Sequence, residues 1–451
     1  MDQPTQSDLV TRTSLEAHAS SERWLSRWAG NLAWLWPGSQ QTELSRGFWI
    51  LGDQAVVSLT NFATTLIIGR LCLKTELGLY TLGFALVMYL SGIPKALIWS
   101  PYTAFCPSMD SQQRAEYTAS STLQLLAIAV VALTGLATTG AILGYGSNDW
   151  QLARLFGVLA PAALFMMLRD HVRRLCLAWR DVADVFRFDV LVSVLQISGL
   201  IFLVRTGFLS GTTAYLAAIF ASLASLVWLY LRRKNFSWNR LQWTMHLAKN
   251  WHFAKWLFGG AVAVLAEQGL YYWSLPYFHD IAAVGVLAAS QSVVAFANPV
   301  LLGLANYCGP AAATTFAQQG LGAMYRSVRW SSAVLLGFVA LFFLGILLWA
   351  DPIVVTLFGT EFAGNAQVTI AMALGLLSRA MLIPIELGFL AIQRGRFLFF
   401  TAIFRLAVTL TLGLALVVAW GAAGVGYGIF VGNTLVLAWE WIEMRRIVRH
   451  A

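Results

Sequence analysis

Charge is scarce in this sequence. Of its 451 residues only 11% are Asp, Glu, Lys or Arg, less than half of the roughly 25% carried by an ordinary water-soluble domain. That deficit excludes a soluble protein of this size, which could not clothe its surface. Long polar loops are missing too. No stretch between apolar runs exceeds about 25 residues, too little for a separate catalytic domain. Cysteine is sparse: Cys72, Cys106, Cys176 and Cys308 stand far apart with no CxxC spacing, which argues for small apolar fillers and against a disulfide framework or a zinc site. His171, His246, His252 and His279 have no Asp or Ser at the spacing of a catalytic set, and His279-Asp280 reads as a solvated turn. No catalytic residue, metal or cofactor is expected. Residues 1–45 are largely polar, and no apolar core of a signal peptide follows an early basic start.

Apolar residues, at 58%, are what the chain has in excess. They fall into runs of about 18 residues or more, and in lipid such a run satisfies its backbone hydrogen bonds only as a helix. The fold class expected is an all-α polytopic membrane protein with about twelve transmembrane helices. The spans fall at 47–69, 78–100, 118–144, 151–169, 188–206, 212–231, 255–277, 282–306, 330–350, 365–391, 397–419 and 421–443.

Lys and Arg in short loops set the orientation. With the N-terminus inside, the inner segments hold 23 of the 30 basic residues and the outer segments 4, which are Arg70, Lys74, Arg154 and Arg205. Lys95, Arg379 and Arg405 lie within helices. Both termini are therefore expected in the cytoplasm. The net charge of +9 sits in these loops and is no nucleic-acid footprint. The basic, Trp-rich stretch 232–254 (Trp238, Trp243, Trp251) divides the chain into six-helix lobes at 46–231 and 255–444, leaving a tail at 445–451. Ala115–Ser120 and Ala323–Val328 each precede an odd-numbered helix, a faint internal echo. An even number of helices per lobe gives both the same orientation, related by a pseudo-two-fold axis along the membrane normal. Within the extension 1–45, Trp24, Trp28, Leu32 and Trp36, beside Arg23 and Arg27, have the spacing of an amphipathic helix lying in the interface.

Polar residues inside the spans are the candidates for function. In the first helix Gln54, Ser58, Asn61 and Thr65 form one stripe, with Asp53, Thr60 and Thr64 in the adjacent column. Such a stripe either bonds to another helix or lines a wet cavity. Glu267, Tyr271 and Ser274 mark the seventh helix, and Gln291, Asn298 and Asn306 the eighth, so these three helices are placed on a central cleft. Glu267 lies about 18 Å along its helix from Lys255, near mid-bilayer, and Arg379 lies at comparable depth. They form either a static buried pair or a working one, with Arg379 binding a substrate anion and Glu267 coupling to an ion. Asp53 has Arg46 seven residues earlier on its own face, an interfacial salt bridge or a second coupling acid. Lys95 can snorkel, and Arg405 can pair with Glu386; if Lys95, Arg379 and Arg405 share one cavity, it attracts anions. Candidate substrate contacts are thus Lys95, Arg379, Arg405, Asn61, Gln291 and Asn298, and candidate ion-coupling acids Glu267 and Asp53.

The run GDQAVVSLTNF (Gly52–Phe62), then Gly69-Arg70 and Leu77–Tyr80, resembles the first two helices of bacterial polysaccharide transporters. These are the O-antigen flippase-like branch of the multidrug, oligosaccharidyl-lipid and polysaccharide exporter superfamily. Ser100-Pro101 with Pro107 is similar to that branch's exit from helix 2, and Leu168–Val182 to its basic loop after helix 4. The likeness covers most of the N-terminal half; the C-terminal half matches mainly in topology. It implies a two-lobed bundle working by ion-driven alternating access, with H⁺ or Na⁺ as coupling ion. It also implies a cationic cavity and an undecaprenyl-diphosphate-linked oligosaccharide as cargo, in the bacterial inner membrane beside glycan assembly enzymes. The long N-terminal extension and the small number of intramembrane bases depart from that pattern. Two other classes stay open: a multidrug and toxin extrusion-type antiporter, which calls for an acidic cavity, and a membrane-embedded glycan polymerase, ligase or acyltransferase, for which the outer loops are short.

Overall fold

The computed structural model describes residues 43–106, 109–179, 181–238 and 243–450. The Trp24–Trp36 amphipathic helix lies outside the described residues. Within them every element is helical. The helices are α1 (Glu43–Leu71), α2 (Lys74–Phe105), α3 (Ser111–Gly146), α4 (Trp150–Ala178), α5 (Val182–Arg205), α6 (Ala214–Leu231) and α7 (Trp243–Phe278). After them come α8 (281–319), α9 (321–358), α10 (Ala366–Ala391), α11 (395–420) and α12 (422–450). Nine stretches of the described residues are long and apolar enough to cross a membrane, and one of them, Gly395–Arg449, is two helices. The 29-residue α1 and 36-residue α7 are also long enough to cross.

Local chemistry sets the boundaries. Asp110, Asp149, Asp181 and Asp280 each accept a backbone N–H three residues on, capping α3, α4, α5 and α8. The His279-Asp280 turn is therefore not merely solvated: Asp280 is a cap, and His279 Nε2 lies 2.7 Å from the Val417 carbonyl of α11. Gly320 at φ +80° and Gly421 at φ +57° separate helices that otherwise run on without a loop. Only glycine enters that region without strain. Consequently α8 extends well past the span expected at 282–306. Inside α2, Pro94 removes a backbone donor, and the ladder slips into a π-turn at Lys95–Trp99.

In the first half α1 packs on α5, α3 on α4, and α6 on both α4 and α5; in the second, α10 packs between α9 and α12. The halves meet where α2 crosses α8, and one hydrophobic core runs through that crossing. The α7 helix belongs to both halves. Residues 243–254, assigned to a linker by the sequence, are helical and dock on α3. There Tyr117 donates to Asn250 Oδ1 at 2.6 Å, Asn250 donates to Gln124 Oε1 at 3.0 Å, and His246 lies 2.8 Å from Ser120 Oγ. Farther along, Tyr271 reaches Thr409 of α11 at 3.3 Å.

The α2–α8 crossing depends on close backbone approach. A Cβ at Gly78 would lie 2.1 Å from the Ile281 carbonyl, and one at Gly285 2.1 Å from that of Lys74. Gly285→Ala is expected to destabilise the protein by about 1–3 kcal/mol through overpacking. Gly157→Ala, with nothing within 4 Å of the added carbon, should not. Thermal unfolding in detergent checks the pair, and equal midpoints would contradict the contact.

Candidate functional site

Two groups of charges lie among the described helices, one in each half, the first buried and the second partly exposed. In the first half Asp53 (α1) and Asp189 (α5) are 2% and 0% exposed. A single guanidinium serves both. Arg173 of α4 donates through Nη2 to Asp53 Oδ2, and its Nε lies 2.7 Å from Asp189 Oδ2; Arg169 stands 3.9 Å from Asp189. Arg173 is thus a partner of Asp53; the Arg46 side chain expected beside it lies outside the described residues. Asp53 sits on the packed column of α1 with Thr60 and Thr64, both buried, and Thr64 accepts from Gln196 of α5 at 3.1 Å. That column faces α5, so its acid meets the bases of α4.

In the second half five charges converge from four helices. Arg405 Nε (α11) lies 2.8 Å from Glu267 Oε2 (α7), and Arg379 Nη1 lies 2.7 Å from Glu386 Oε1, both on α10. Glu386 Oε1 is also 4.0 Å from Arg405 Nη1. Glu440 of α12 is fully buried; Thr401 donates to its Oε1 at 3.0 Å, while Oε2 has no partner. The Glu267–Arg379 pair expected from depth alone is thus replaced by Glu267–Arg405 and Arg379–Glu386. Seven residues is two turns, so Arg379 and Glu386 share a helix face, whereas Arg405 lies on the helix that α7 packs against.

Three cavities lie side by side, each sharing lining residues with the next. The largest, about 1100 Å³, lies between α7, α10 and α11 and is mostly apolar, lined by Leu390, Leu398, Phe399 and Phe400, with Arg379, Glu386 and Arg405 in its wall and Arg396 at the α10–α11 end. The second, about 330 Å³, shares Arg379 and Arg405 with it and adds Glu267, Gln291, Asn298 and Asn433. The third, about 540 Å³, shares Gln291 and Asn298 with the second and is also lined by Ser58, Asn61 and Thr65 of the α1 stripe. Five expected contacts (Arg379, Arg405, Asn61, Gln291 and Asn298) thus line these three neighbouring cavities. Lys95 does not join them: it is exposed at the π-turn of α2, acting on Asp170 of α4. At the end opposite the α10–α11 loop the halves are joined: Arg70 donates to the Val355 and Thr356 carbonyls at the end of α9 at 3.3 and 3.2 Å, and Lys74 lies over Phe362 at 5.6 Å.

Asp189 and Glu440 escape sequence reasoning because each sits near Arg or Glu residues that read as loop charges; a lone acid inside an apolar run is the available signal. No family model matches the chain, and no curated protein resembles it closely enough to match. Its fold does have close counterparts among solved structures. The inward-facing conformation of a multidrug resistance MATE family transporter of the MOP superfamily superposes with a TM-score of 0.73 at 16% identity, over 87% of this chain and 94% of that one. The outward-facing conformation of a MATE family transporter gives 0.61 at 15%, over 89% and 95%. The lipid II flippase MurJ, in an inward closed conformation, gives 0.66 at 12%, over 88% and 87%. The chain has the multi-span helical fold of these proteins.

Because Arg173 serves two carboxylates, Arg173→Met should cost more than Asp53→Asn. The first leaves Asp53 without its base and Asp189 with only Arg169 at 3.9 Å, a loss of about 3–5 kcal/mol, whereas the second keeps the Asp189–Arg173 pair. Comparing thermal unfolding of the two variants checks this, and equal losses would contradict a shared guanidinium.

Proposed function

We propose that the chain is an alternating-access flippase for an amphiphile with an anionic head, a lipid-linked oligosaccharide carried on undecaprenyl diphosphate. The observation that carries this reading is that Arg379 and Arg405 stand together, beside Glu386, in the wall of a mostly apolar cavity of about 1100 Å³ with Arg396 at its end. Guanidinium groups hold phosphate oxygens through forked hydrogen bonds, and the surrounding Leu and Phe side chains suit the isoprenoid. The neighbouring cavities add Gln291, Asn298 and Asn61, whose amides suit sugar hydroxyls. The likeness of fold to a lipid II flippase is compatible with such cargo. In this reading the α10–α11 end faces the cytoplasm, both termini lie there, and the protein works in the bacterial inner membrane beside glycan assembly enzymes. Glu267 and Asp53 are the candidate acids for coupling to H⁺ or Na⁺.

One observation favours a second reading. Glu267, Glu386 and Glu440 outnumber Arg379 and Arg405, which suits a cationic drug and a multidrug and toxin extrusion-type antiporter. Deleting the gene separates the two. The flippase reading expects lipid-linked oligosaccharide to accumulate while surface glycan falls; the antiporter reading expects unchanged glycan and new sensitivity to cationic drugs. In the complemented deletion strain, Arg379→Ala should abolish glycan export and Arg379→Lys should retain part of it. Full export by the alanine variant at normal protein level would remove Arg379 as a headgroup contact.

A further inference from the structure

We propose that the seam between α9 and α12, at the end of the bundle that carries the α10–α11 loop, binds one anionic phospholipid of the surrounding membrane, with Arg329 and Arg445 on its phosphate. Neither base lines any of the three cavities, so the site is independent of the cargo. The seam is built on α10. A Cβ at Gly388 would lie 3.1 Å from Val328 of α9 and 3.3 Å from Met444 of α12, so both helices rest on bare backbone there. Val328, Met324, Met444 and Phe389 share one buried cluster, flanked by Tyr325 and Trp441. These two rings meet across the seam with centroids 6.0 Å apart. Each carries a base one turn on: Arg329 Cζ lies 5.9 Å from the Tyr325 centroid, and Arg445 Cζ 5.4 Å from that of Trp441. A guanidinium lying over a ring uses its face and leaves its N–H fork open. Two helices thus hold two forks over adjoining rings.

Charge singles out this place. Arg326, Arg329, Arg445 and Arg446 are exposed, and among the described residues none of them has a carboxylate at ion-pair distance or donates a hydrogen bond to the protein. The acids of this stretch of α12 are engaged elsewhere: Glu443 lies 3.5 Å from Arg394, and Glu440 is buried with Thr401. The third and sixth helices of the first half differ. There Arg114 donates to the Met109 carbonyl at 3.3 Å, Arg233 to the Tyr230 carbonyl at 3.0 Å, and Arg232 pairs with Asp184. Bases left without acids at the ends of membrane-crossing helices attract anionic headgroups. The helix below them selects a lipid over a soluble anion. Trp330, Val334, Phe338 and Leu341 are exposed on one face of α9, three or four residues apart, beginning one turn beyond Arg326. That apolar face runs about 17 Å into the bilayer. An acyl chain lying along it brings its phosphate to the level of the arginines, with Trp330 at the boundary where such rings anchor.

The test counts bound lipids. Native mass spectrometry of the purified full-length protein, in a neutral detergent, is run with phosphatidylglycerol and with phosphatidylcholine of the same acyl chains. The protein should retain one phosphatidylglycerol at concentrations where phosphatidylcholine is lost. Arg329→Gln with Arg445→Gln should weaken that binding about tenfold. Arg154→Gln with Arg205→Gln, which removes the same charge from exposed positions at the opposite end, should leave it unchanged. Inorganic phosphate at equal concentration should not displace the lipid. Equal retention of the two lipids by the unmutated protein overturns the proposal without recourse to any variant. Equal loss in the two double variants overturns the seam as the site, and displacement by inorganic phosphate overturns the lipid as its occupant.

Discussion

A charge within a lipid-embedded helix has to be neutralised by the protein, because neither water nor lipid will do it. That constraint organises this molecule. Each half holds one set of acids and bases, and each set ties helices distant in sequence: α1, α4 and α5 through Arg173, and α7, α10 and α11 through Arg379 and Arg405. The sets differ in what surrounds them. The first is enclosed, with both carboxylates shut away from any opening. The second forms the wall of a cavity, and its charges meet whatever enters. Pairing of the same kind is enclosed by packing in one half and borders a cavity in the other. The lipid-facing surfaces need no such care, and Phe202, Val131, Leu341 and Leu348 lie exposed there.

The twelve helices were legible in the sequence because lipid leaves the backbone no alternative to a helix. Their ends were less so. Apolar length says nothing about how far a helix runs on into water, which is why α8 continues to Gly320 and α7 begins at Trp243. The polar stripe of α1 was legible in outline, and the structure divides it: Ser58, Asn61 and Thr65 border a cavity, whereas Asp53, Thr60 and Thr64 are packed away one column over. Ion-pair partners were the hardest to read. Arg379 and Glu386 share a face two turns apart, a relation visible in one dimension. Arg405 and Glu267 are separated by 138 residues and meet only because α11 packs on α7. Depth in the bilayer narrows the choice of partner; helix packing makes it.

The structure is closed at one end and open at the other, and the means differ. Closure is made by backbone: glycines let α2 and α8 touch, and Arg70 supplies donors to carbonyls left over at the end of α9, where a cation is favoured by the helix dipole. Opening is made by side chains, between α7, α10 and α11, where the wall is apolar except for the arginines and their acids.

The double attachment of α7 has a mechanical meaning. One end is clamped to α3 by Asn250 and His246, and the other is tied to α11 through Glu267 and Tyr271. Rotation of one half against the other therefore acts as a torque on the stretch between these clamps, where Gly259 and Gly260 leave the helix surface uncrowded. Glu267 and the α3 clamp lie some five turns apart on one helix, with no loop between them. The helix has the form of a torsion bar, held at one end by α3 and at the other by α11.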